Sequence, residues 1–91
     1  MEPDRNKASV IDELRILEAM LQAINEREKV FAAIETSETH EEALAALGQV
    51  LGIGEIRARA VLDMQARRWT HGEARKLEAQ IAVRRSEPEL L

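Results

Sequence analysis

Ninety-one residues with no cysteine, one Phe, one Trp, no Tyr and a formal net charge of -4 describe one small domain. A disulfide framework is excluded, and no window approaches the ~20 apolar residues of a membrane span. The N-terminal "MEPDRNKASV" lacks the basic start and apolar run of a signal peptide. The expectation is therefore a cytoplasmic chain with no membrane partner. A domain of this length buries only about 60% of its unfolded surface. His40 and His71 lie far apart with no cysteine to assist them, so no metal or other cofactor is expected. Self-association is left as the physical route to more buried area.

Ala, Leu, Glu and Arg dominate while strand formers are sparse, which makes the chain all-α by composition. Charge is unevenly spread. Residues 1–50 carry 5 basic and 11 acidic side chains, residues 51–91 carry 8 and 6, and together these give the 13 and 17 of the whole chain. The net charge argues against a general nucleic-acid binder, yet the arginines gather in the second half.

In chain order, residues 1–8 are polar and read as a disordered tail, with a single helical domain over 9–86 and a second tail over 87–91. Ser9 with Asp12 resembles a helix start. Val10, Leu14, Leu17, Leu21 and Ile24 then recur at spacings of 4, 3, 4 and 3, the seam of a helix pair. Ile16, Met20 and Ala23 widen that stripe enough for two partners. The run "NEREK" interrupts it, and Val30, Phe31 and Ile34 resume it, so the first helix is expected to reach about Thr36 with a bend. Thr39 and Glu42 form a capping box for a second helix with Leu44, Leu47 and Leu51 on one side. Gly48 inside that helix costs on the order of 1 kcal/mol relative to Ala and calls for tertiary support. Gly52 suits a left-handed C-cap. A third helix is expected from Glu55 to about Arg67, burying Ile56, Ala60, Val61 and Met64. Thr70 and Glu73 open the fourth and last, which carries Leu77 and Ile81 and stops at Pro88.

Several functional readings compete on these residues. Gly52-Ile53-Gly54 before an Ala-rich helix has the form of a helix-hairpin-helix turn, whose backbone N–H groups approach a DNA phosphate. Arg57, Arg59, Arg67 and Arg68 would then add weak phosphate contacts. Glu55 opposes this, because it puts a carboxylate at the helix end that should receive the anion. In the alternative the turn merely joins two packed helices. "VIDELRILEAMLQAINERE" resembles the first helix of small all-α chorismate mutases, with Arg15 and Arg27 as candidate substrate ligands, but a generic amphipathic helix is the stronger explanation. Ser9, Ser37 and Ser86 have no histidine beside them, so no catalytic nucleophile is expected.

A longer match carries more weight. "GIGEIRARAVLDMQARRWTHGEARKLEAQI" resembles one segment of the bacterial DNA gyrase and topoisomerase IV A subunits. Glu55, Ala58, Ala60, Val61, Leu62, Asp63, Met64, Thr70, Glu73, Lys76, Leu77 and Glu78 stand at matching positions. "LRILEAMLQAI" and "THEEALAAL" resemble the family's preceding helices, so order and spacing hold from about Leu14 to Ile81. The resemblance implies a free-standing, non-catalytic C-gate module, in which a short antiparallel coiled-coil arm carries a helical globule. It implies a homodimer, and as a further partner the A subunit of a type IIA topoisomerase. Ile56, Ala60, Met64 and Trp69 would pack or pair at the globule. Val10, Leu14, Leu17, Leu21, Leu77 and Ile81 would hold the arm. The family's catalytic tyrosine has no counterpart, which implies that this chain is not an enzyme. His71-Gly72 and Trp69 depart from the family's second turn.

Overall fold

The computed structural model describes residues 3–86, with side chains from Ser9 onward. The described chain is all-α. It comprises α1 (Pro3–Asn25), α2 (Arg27–Glu35), α3 (His40–Leu51), α4 (Glu55–Leu62), a short 3-10 turn (Ala66–Trp69) and α5 (His71–Arg85). The tail expected over residues 1–8 falls partly outside the described residues, and the backbone from Pro3 already belongs to α1, ahead of the start expected at Ser9. The tail expected over 87–91, with its stop at Pro88, lies outside them altogether.

The stripe interruption at "NEREK" is a break in the backbone. Glu26 leaves helical geometry at φ -114° and ψ 35°, which separates α1 from α2. Helix ends leave carbonyls without intrahelical donors. Arg27 fills one such need, its Nε donating to the Ile24 carbonyl at 3.0 Å. At the far end of α2 the Thr36 hydroxyl donates to Ala32 O (2.9 Å) and the Ser37 hydroxyl to Ala33 O (2.7 Å).

Thr39 caps α3 as expected, accepting from the Glu42 amide at 3.1 Å. The return bond differs, since the Glu42 carboxylate takes the Glu38 amide (3.1 Å) rather than that of Thr39. Gly52 ends α3 with φ 66° and ψ 39°, a conformation that costs other L-residues about 1–2 kcal/mol. Past it the chain doubles back, and the Ile53 amide reaches Gly48 O at 3.0 Å, the bond of a Schellman cap. Gly48 is needed for the same closure. A Cβ there would stand 3.1 Å from the Ile53 carbonyl oxygen.

Two apolar clusters form around α1. Ala19 and Ala23 of α1 join Val30, Leu47, Leu51, Ala58 and Val61 in the cluster shared with α2, α3 and α4. Ile24 joins Ala74 and Leu77 of α5 in the second, flanked by Leu17, Met20, Leu21 and Met64. The wide apolar face of the first helix thus serves two sets of partners, but the division does not follow the two rows, since Met20 of the second row lies with Leu17, Leu21 and Ile24 while Ala23 joins the other cluster. Trp69 packs against both clusters.

Among the described residues five α-helices replace the expected four, and α4 ends at Leu62 instead of near Arg67. The reason lies in packing. Ala58 and Val61 face the first cluster, whereas Met64 packs in the second and Trp69 against both. The turn after Asp63 and the 3-10 segment re-aim the chain between them, with Arg68 N donating to Gln65 O at 2.9 Å. Thr70 then caps α5, accepting from the Glu73 amide at 3.1 Å.

Candidate functional site

α5 runs back along α1. Arg84 pairs with Glu13 and Arg85 with Glu18, while Leu77 shares a cluster with Ile24, so positions rise along one helix as they fall along the other. Of the residues expected to hold this arm, Leu77 and Ile81 are buried, and Leu17 and Leu21 flank the Leu77 cluster. Val10 and Leu14 are half-buried.

The Gly52–Gly54 turn and the arginines do not converge on one anion site. Gly54 has ordinary extended backbone and caps α4 without a side-chain bond. The Glu55 carboxylate at that helix start accepts from Arg59 at 3.0 Å. Arg68 lies 2.7 Å from Glu73, which also holds Lys76 at 3.3 Å. Arg67 donates to the Gln65 side chain at 2.8 Å. Arg57 lines a groove beside Asp12, Arg15, Ile16 and Ile56, on the α1 side of α4. Arg59 lines another, with Leu44, Ala45 and Gly48, on the α3 side. The two arginines therefore point to opposite flanks of a single helix.

Arg15 and Arg27, the candidate ligands of a dicarboxylate, line separate grooves, one at α4 and one at the α1–α2 break. Each groove also presents carboxylates, Asp12 in the first and Glu26 and Glu28 in the second, which would repel such a substrate. Among the described residues no three His, Asp or Glu side chains approach closely enough to hold a metal ion, and no helix is long and apolar enough to cross a membrane.

The four residues expected at the globule separate. Met64 is half-buried in the second cluster. Trp69 is half-buried across both clusters and lies 4.8 Å from Phe31, ring centroid to centroid, with a 41° tilt. Ala60 is half-buried. Ile56 corrects the sequence expectation that it is buried, because 76% of it is exposed. The cause is helical phase. The core contacts of α4 come from Ala58 and Val61, and Ile56 lies two residues before Ala58, about 200° around the helix.

Known proteins with similar sequences give this surface a setting. The DNA gyrase A subunit of Mycobacterium tuberculosis is 40% identical over 74 residues, covering 74% of this chain and 9% of that protein. Its Staphylococcus aureus counterpart is 36% identical over 69 residues, 76% of this chain and 8% of that protein. That of Aminobacterium colombiense is 39% identical over 67 residues, 74% and 8% respectively. The chain carries a gyrase A-like segment. It spans only 8–9% of the length of these curated relatives. No protein-family model matches. A stretch of 67 residues in a chain of 91 must include residues 25–67, so the gyrase A-like segment takes in α4.

Two features of the fold escape sequence reading. The Phe31–Trp69 pair has only scarcity as a signal, these being the chain's one Phe and one Trp. Gln22 gives none at all. Its side-chain amide donates to Leu51 O at 3.1 Å, tying α1 to the last turn of α3.

Proposed function

We propose that this chain is a non-catalytic homodimerisation module of the gyrase exit-gate kind, acting in the cytoplasm through contact with itself and with the A subunit of a type IIA topoisomerase. The observation that carries the reading is Ile56, a large apolar side chain 76% exposed on α4 of the gyrase A-like segment. Exposed apolar residues are individually common, but this one occupies a helix face directed away from the core. The antiparallel α1–α5 pair supports an arm of coiled-coil type, and the packing around Trp69 supports a globule at its end. Strand cleavage by a tyrosine is outside this chain's own chemistry, since its sequence contains none.

A two-fold interface uses the same patch on both protomers, so it accepts any copy that presents that patch. Mixed dimers with gyrase A are the regulatory consequence. The test is to incubate the labelled chain with gyrase A of Mycobacterium tuberculosis and follow exchange by native mass spectrometry. Mixed species are expected. Their absence, with the chain's own dimer intact, would remove the topoisomerase partner and leave the self-association. The DNA-contact reading is disfavoured by the pairing of Arg59 with Glu55 and of Arg68 with Glu73.

A further inference from the structure

The geometry points to α4 as the seat of a second copy of this chain, held by an exchange of the Glu55–Arg59 ion pair between the two copies. This inference rests on the homodimer reading above and deepens it. Three observations combine on one short helix. Ile56 is 76% exposed and faces away from the core that Ala58 and Val61 occupy. Ala60 stands one helical turn further on, so a large and a small apolar residue share the outward face. Glu55 and Arg59 line the same flank, paired at 3.0 Å, with side chains 74% and 51% exposed.

That arrangement is self-complementary. When two such helices face each other antiparallel about a two-fold axis at the level of Ala58, Ile56 of one copy meets the partner's Ala60, and the reverse. Large against small is how facing helices interdigitate. The same axis keeps each flank against its own kind and reverses its direction. Glu55 then lies two residues, about 3 Å along the axis, from the level of the partner's Arg59, within reach of two long side chains. The internal i,i+4 pair becomes two pairs across the interface. The other flank carries Arg57, with Asp12 of α1 in the same groove to offset the approach of like charges.

Size sets the strength. An eight-residue helix is about 12 Å long. Even with the grooves on either side it covers less than a stable interface of ~1,200–2,000 Å². The dimer should therefore dissociate on dilution.

Charge reversal in the full chain tests the pairing. Glu55→Arg and Arg59→Glu each leave the apolar face intact and turn the flank to a single sign. Both sites are exposed, and far-UV circular dichroism confirms that each variant folds. Each alone is expected to raise the dimer dissociation constant tenfold or more, and an equimolar mixture of the two is expected to restore association. Ile56→Asp should abolish it with no rescue. If both reversed variants dimerise like the parent, the ion-pair exchange is overturned; if Ile56→Asp also dimerises like the parent, α4 is not the contact and the homodimer reading survives on another face. If the reversed variants are monomeric alone and also when mixed, the ion-pair exchange is wrong. A parent chain that is monomeric throughout would overturn both the exchange and the reading beneath it.

Discussion

Trp69→Ala is expected to be the most damaging single change outside the buried core. Trp69 is half-buried, packs against both apolar clusters and meets the tilted ring of Phe31 at 4.8 Å, so one side chain joins α2, the 3-10 turn and the α1–α5 pair. Truncating a fully buried Trp costs ~3–5 kcal/mol, and partial exposure lowers this to roughly 2–3 kcal/mol. Small domains have only ~5–15 kcal/mol in total, and this one should lie near the lower end. The midpoint of thermal unfolding should therefore fall by at least ~8 °C, at ~4–8 °C per kcal/mol. Trp69→Phe keeps a ring and should lose about half as much. A double-mutant cycle with Phe31→Ala should give a coupling of ~0.5–1.5 kcal/mol. The assay is urea unfolding followed by circular dichroism at 222 nm, because the fluorophore is the residue removed. A loss below ~1 kcal/mol for Trp69→Ala would refute the view that it joins two cores.

Other expectations follow from single contacts. Gly52→Ala should cost ~1–2 kcal/mol in the same urea assay, because its φ of 66° strains any other L-residue. Gly48→Ala should also destabilise. The gain of about 1 kcal/mol in helix propensity is outweighed by the 3.1 Å approach to the backbone carbonyl oxygen of Ile53, a residue whose amide is held to Gly48 O by the cap. Gln22→Ala should cost ~0.5–1.5 kcal/mol by leaving Leu51 O without its donor, and hydrogen exchange should rise at the end of α3. Reversing Arg84 or Glu13 should change stability by less than ~1 kcal/mol, with an effect that fades at high salt, since the Glu13 side chain is 56% exposed. Guanidinium would mask that difference through its ionic strength, so urea is again the denaturant.

Much of the fold is legible from spacing. The 4-3-4-3 row from Val10 to Ile24 announces a helix with a long apolar seam, and the width that Met20 and Ala23 add anticipates two sets of partners, although Met20 joins the first row's cluster and Ala23 the other. Thr39, Thr70 and Gly52 mark helix ends because each satisfies backbone groups that a helix cannot satisfy itself. The break at Glu26 and the early end of α4 are less legible. Both are tertiary decisions, in which local helix preference yields to the need to place Val30 in the first cluster or Met64 in the second, with Trp69 against both. Ile56 shows the same limit at the candidate surface. An apolar residue two before a buried Ala58 reads as core when the helix is taken to be longer than it is. With α4 ended at Leu62, the phase of its core stripe is fixed by Ala58 and Val61, and Ile56 falls outside. The arginines illustrate the converse. Closeness in sequence puts Arg57 and Arg59 in one patch, yet two residues along a helix turn side chains ~200° apart.

The native mass in solution, measured by light scattering over a wide dilution series, decides whether two copies of this chain associate. Twice the 10.3 kDa of one chain is expected at high concentration, falling toward the single-chain mass on dilution. A mass of 10.3 kDa at every concentration would contradict it, and Ile56 would then be an exposed side chain with no partner.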